Sequence, residues 1–227
     1  MSTSSIGVLL RSRGVRRLAP LCEPQTMAAS GRDIRVCFVG DSFVAGLGDR
    51  TGLGWTGRTA VHAFERGLRL TAYNLGVRRD TSLDVLARLA AETRPRLAPA
   101  EAARIVLSFG VNDTVVESGA TPVLFEDTVE ALGRMRRAVD PVPLLLVGPP
   151  AVDDDQQNLR LARTDAALQE KAARLNIPHL SCFRSTRDSS VWRREVRDGD
   201  HFHPGAAGYE FLASTCSDPI IDWLDSP

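Results

Sequence analysis

From Asp33 onward the chain alternates short, largely apolar runs with longer segments of helical periodicity, and several of the apolar runs stop on glycine. The first run is Ile34–Val39. Leu70–Leu75 ends before Gly76, Arg104–Phe109 before Gly110, and Leu144–Val147 before Gly-Pro-Pro; Pro178–Cys182 is the fifth. Between them the spacing predicts helices over Gly54–Leu68, from Asp80 to about Thr93 ahead of Pro95, from Thr121-Pro122 onward, over Asp154–Asn176, and over Gly205–Leu224. Strand and helix in strict turn specify a parallel sheet covered by helices on both faces. Such sheets bind ligands beyond the carboxyl ends of their strands. Phe183–Asp200, rich in Arg and Ser, is expected as the longest irregular loop of the domain.

At 227 residues the chain has enough length for one domain with a sizeable core, expected over 33–227. Its formal net charge of zero argues against a nucleic-acid partner as the main function. Lys171 is the only lysine and has no glycine-rich context, which excludes a phosphate-binding loop of the Gly-x-x-x-x-Gly-Lys type. Cys22, Cys37, Cys182 and Cys216 form no Cys-x-x-Cys pair, so neither a zinc site nor a disulfide framework is expected. No apolar run approaches the ~20 residues that span a bilayer. Residues 1–32 read as a disordered N-terminal extension, Met27 being an alternative start. Ile6–Leu10 is shorter than the ~7–15 apolar residues of a secretory signal, and its arginines follow instead of preceding. An Arg- and Ser-rich transit peptide is the other reading; without a signal peptide, the expected location is cytoplasmic.

Several chemically capable residues fall just past predicted strand ends. Ser42, in Gly40-Asp-Ser-Phe43, follows the first strand; a serine becomes a useful nucleophile only beside a base. Of four histidines, His62 lies in a helix and His179 in a strand, whereas His201 and His203 lie in the turn before the last helix. Asp200 stands three residues before His203, close enough to hold one ring nitrogen while the other points outward, and Pro204 keeps His203 extended. Oxyanion donors are available at Gly76, after the second strand, and at the side chain of Asn112, after the third.

This combination resembles the SGNH hydrolase superfamily, the GDSL-type esterases and lipases. The matching motifs are GDSF at Gly40–Phe43, the glycine of NLG at Gly76, GVND at Gly110–Asp113 and DHFHP at Asp200–Pro204, and the resemblance runs from Asp33 to Leu224. It implies a three-layer α/β/α sandwich with a five-stranded parallel, flavodoxin-like sheet. It also implies Ser42 as nucleophile, His203 as base and Asp200 as its partner. The oxyanion would rest on the N–H groups of Ser42 and Gly76 and on the Asn112 amide, with no metal or cofactor. Phe43 departs from the leucine of the family name, at a position that does no chemistry. The Gly-x-Ser-x-Gly elbow of α/β-hydrolases is absent, since residue 44 is Val44.

Gly-Asp-Ser after a strand is often only a turn, and Asp41 is read as orienting it. Asp113 would cap its own loop. His201, with His203, Asp198 and Asp200, is too thin a set for a metal site and is expected to face solvent or line the cleft. Arg78, Arg79, Arg184 and Arg187 either bind an anionic group or are solvated surface; in so arginine-rich a chain the latter is preferred. The expected activity is hydrolysis of small or short-chain acyl esters through an acyl-enzyme on Ser42. The alternatives are a carbohydrate acetyl esterase, a lysophospholipase or thioesterase, an acyltransferase with the same residues, and a catalytically idle binding module.

Overall fold

The computed structural model describes residues 31–98 and 100–227, so the expectations for the N-terminal extension, Cys22 included, lie outside the described residues. Five strands, β1 (Ile34–Gly40), β2 (Leu70–Gly76), β3 (Ala102–Ser108), β4 (Leu144–Val147) and β5 (His179–Leu180), form one parallel sheet in the order β2-β1-β3-β4-β5. The order reverses direction between β1 and β3, which creates a crevice at the carboxyl ends of those two strands. Register brings the strand ends level there: Gly40 pairs with both Gly76 and Ser108.

Alternation along β1 divides the core. Ile34, Val36 and Phe38 face one layer, with Trp55 of α2 (Gly54–Glu65), Trp192 and Val196 of α7 (Ser190–Asp198), and Leu212 and Ile220 of α8 (Ala206–Asp225). Cys37 and Val39 face the other, with Val85 and Leu89 of α3 (Ser82–Leu97), Leu132 and Met135 of α4 (Phe125–Ala138), and Leu168 of α5 (Asp155–Arg174). A strand buried on both sides has to be apolar at consecutive positions, as β1, β3 and β4 are.

Three local expectations are corrected. Helix α3 continues through Pro95 to Leu97, because the proline falls in the last turn and Thr93 and Leu97 are buried against the core. Thr121-Pro122 does not begin a helix: the Thr121 hydroxyl donates to Val123 O at 2.9 Å, and α4 starts only at Phe125. Residues 183–200 are not irregular. They form α6 (Phe183–Asp188) and α7, separated by Ser189, whose hydroxyl accepts the Trp192 N–H.

Candidate active site

Strand β1 delivers Ser42 to the crevice. Asp41 is extended, and its Oδ1 accepts the Phe43 N–H at 2.9 Å, capping the one-turn helix α1 (Ser42–Ala45). That cap bends the chain directly after the strand and sets Ser42 at the first helical position. Asp41 is 1% exposed. Burial pushes its carboxyl up to about 7, against the Phe43 N–H, which favours the charged form.

The turn between α7 and α8 supplies the partners. Asp200 Oδ1 accepts the N–H groups of Phe202 (3.0 Å) and His203 (2.7 Å), which curls residues 200–203 into a tight turn. Asp200 Oδ2 lies 2.7 Å from His203 Nδ1, and His203 Nε2 lies 2.7 Å from Ser42 Oγ. Partial burial opposes ionisation of Asp200, but the two N–H groups and the His203 ring outweigh it and hold the carboxyl below its ordinary value. An ionised carboxylate only accepts, so Nδ1 carries the proton and the lone pair of Nε2 faces the Ser42 hydroxyl.

Several residues fix this turn from outside. His203 rests on the Phe43 ring, centroid to centroid 4.7 Å, and Phe43 in turn stacks near Trp192. Glu195 of α7 accepts the Gly208 N–H at 2.6 Å in the first turn of α8. Residue 48 has to be glycine: a Cβ there would sit 2.5 Å from Pro204 O. His201 adopts a left-handed conformation, φ 67°. Its Nδ1 lies 3.0 Å from Asp153 Oδ2, and its carbonyl accepts the Asp153 N–H at 3.0 Å, pinning the turn to the segment after β4. His201 therefore faces solvent, its side chain 65% exposed, and from there pairs with Asp153. Among the described residues, no group of three or more His, Cys, Asp or Glu side chains is placed to hold a metal.

On the opposite wall, Asn112 opens a 3₁₀ turn (Asn112–Thr114) after β3. Its Nδ2 donates to Asp80 O at 2.8 Å, which leaves the second amide hydrogen for the cleft. Asp113 is buried and accepts the Ser82 N–H at 2.9 Å, the Ser82 hydroxyl, and the Thr128 hydroxyl at 2.8 Å, so it ties three elements together instead of capping its own loop. Burial nonetheless raises its carboxyl above the ordinary value.

Gly76 requires a correction. Its N–H already donates to Asn74 Oδ1 at 3.0 Å, and a Cβ there would lie 2.1 Å from Ala45 N. The glycine thus lets β2 pack against the backbone of α1 instead of lining the cleft. The wall on that side is made by Arg78, Arg79 and Thr81, with Arg79 left-handed at φ 69°. The resulting cleft, about 390 Å³, runs past Ser42 and His203 between apolar walls that include Phe43, Leu47, Val111, Val115 and Phe202.

The packing of Phe43 on His203 and the His201–Asp153 pair were not anticipated. A bulky aromatic directly after the serine was the only signal for the first, and nothing in the sequence pairs residues 153 and 201.

Residues 38–211 match the model of the GDSL-like lipase/acylhydrolase family. No curated protein matches the chain by sequence. Among solved structures, a lipase/acylhydrolase from Enterococcus faecalis is 22% identical with a TM-score of 0.70, over 83% of this chain and 96% of that one. The structure titled TesA is 22% identical with a TM-score of 0.67, over 84% and 99%. A mutant of an acetylxylan esterase from Geobacillus stearothermophilus is 16% identical with a TM-score of 0.62, over 82% and 93%.

Proposed function

The chain belongs to the GDSL-like lipase/acylhydrolase family, and from that premise we propose that it hydrolyses small or short-chain acyl esters through an acyl-enzyme on Ser42. The observation that carries this reading is the unbroken line Ser42 Oγ, His203 Nε2, His203 Nδ1, Asp200 Oδ2, with both hydrogen-bonded steps at 2.7 Å.

Ser42 Oγ attacks the acyl carbon as its proton passes to His203 Nε2. Asp200 holds the ring and stabilises the imidazolium. The oxyanion rests on the Ser42 N–H and the free amide hydrogen of Asn112, with the Arg78–Thr81 loop in the place first given to Gly76. Collapse breaks the bond to the alcohol, which leaves with the proton from His203. Water then adds to the acyl-enzyme by the same route and releases the acid. A cleft of about 390 Å³ with apolar walls has room for the acyl group of such an ester beside Ser42.

The test is turnover of p-nitrophenyl acetate, butyrate and octanoate by the wild-type protein and Ser42→Ala. Saturable hydrolysis of the two short esters, lost in the variant, is expected. Rates rising steeply with chain length would overturn the short-chain reading, and undiminished turnover by Ser42→Ala would overturn the serine mechanism.

A further inference from the structure

Two hollows meet at His203. One is the cleft just described; the other, about 500 Å³, opens on the far side of the turn between Gly48 and α7. Arg78 lines both. Four charged side chains other than His203 line the cleft: Arg78, Arg79, Glu117 and Asp200. Asp200 is spent on the His203 ring and on two backbone N–H groups. Arg79 pairs with Glu117 at 3.3 Å. The Arg78 guanidinium has neither an ion-pair nor a hydrogen-bond partner among the described residues. Of these four, and among the described residues, it is the one charge without a partner beside the apolar-walled cleft that would hold the acyl group.

Arg78 lines the cleft as an exposed residue, and its planar fork matches carboxylate and phosphate oxygens two at a time. We infer that the cleft selects esters bearing a carboxylate or phosphate group, which Arg78 holds while the apolar part lies against Phe43, Val111 and Phe202. The inference rests on the proposed hydrolysis at Ser42 and names its substrate class. The anion belongs either to the acyl portion or to the alcohol.

Two matched pairs of esters separate these sources. Mono-p-nitrophenyl adipate against p-nitrophenyl hexanoate places the charge on the acyl side. Against methyl 4-acetoxybenzoate, 4-acetoxybenzoate places it on the alcohol side. In one pair the anionic ester is expected to show the higher kcat/KM, and the anionic-to-neutral ratio is expected to fall about tenfold in Arg78→Gln and less in Arg78→Lys. Ratios unchanged by Arg78→Gln in both pairs would overturn the inference. Calorimetric binding of the same four compounds to Ser42→Ala and to Ser42→Ala/Arg78→Gln reads the same preference without turnover. Charge-selective binding that disappears with Arg78 supports the anion site even if Ser42 proves not to be the nucleophile. Equal binding by both proteins contradicts it, whatever the turnover shows.

Discussion

The molecule contains two clusters of Ser, His and Asp at the carboxyl edge of its sheet, and they are wired in different orders. At the β1 end, imidazole stands between hydroxyl and carboxylate: Ser42 Oγ to His203 Nε2, then His203 Nδ1 to Asp200. At the β5 end, the carboxylate stands in the middle. The Ser181 hydroxyl donates to Asp165 Oδ2 at 2.5 Å, and His179 Nε2 lies 3.1 Å from Asp165 Oδ1 without an aligned hydrogen bond. A carboxylate is a poorer base toward a serine hydroxyl than an imidazole, and the His179 ring, 4% exposed, makes no hydrogen bond to Ser181. Residue types alone therefore say little. Connectivity and access suit one cluster to the proposed proton relay and the other to fastening α5 to the end of β5.

Substitutions at matching positions break or sharpen this contrast. The largest difference is expected between the serines. Ser42→Ala should lower kcat by about 10⁶, as for other serine hydrolases, whereas Ser181→Ala should leave p-nitrophenyl acetate turnover within about twofold, a small change of the kind seen for surface substitutions. The acids come next. Asp200→Asn should cost about 10³–10⁴ in kcat by presenting the wrong tautomer of His203. Asp165→Asn should spare turnover but lower unfolding free energy by about 1–3 kcal/mol, read by urea denaturation, as its contacts to Ser181 and His179 weaken.

The last contrast is a pH dependence of stability that separates Asp41, next to Ser42, from Asp200, the partner of His203. Asp200, held low, adds stability above the ordinary carboxylate range that is lost as pH falls through its folded value. Asp41 behaves oppositely. Its carboxyl titrates near 7 in the folded protein, so between about pH 4 and 7 the folded chain keeps a proton that the unfolded chain releases, and stability falls as pH rises. Asp41→Asn should remove that part of the decline, seen as a smaller difference between unfolding free energies at pH 5 and pH 7.5. An unaltered difference would mean that Asp41 is already ionised at pH 5.

Much of this site was legible before folding because its signals are local. GDSF follows an apolar run directly, and Asp200 and His203 lie within one turn, so spacing alone brings them together. The sheet followed from runs that have to be apolar on both faces. What was not legible depends on long-range packing. Gly76 suggested an open backbone donor, but only the fold shows Ala45 pressed against it. Helices α6 and α7 were hidden because Trp192 and Val196 are the only large apolar anchors of α7 in an arginine-rich stretch. Pro95 suggested a stop, yet the buried Leu97 beyond it carries α3 through one more turn.

The most direct measurement is labelling with a fluorophosphonate, followed by peptide mapping of the adduct. One adduct per chain, on the peptide containing Ser42, absent from Ser42→Ala and slowed in His203→Ala, is the predicted result. An adduct on Ser181 or any other serine, or labelling of Ser42→Ala at the wild-type rate, would contradict the assignment of Ser42 as the nucleophile.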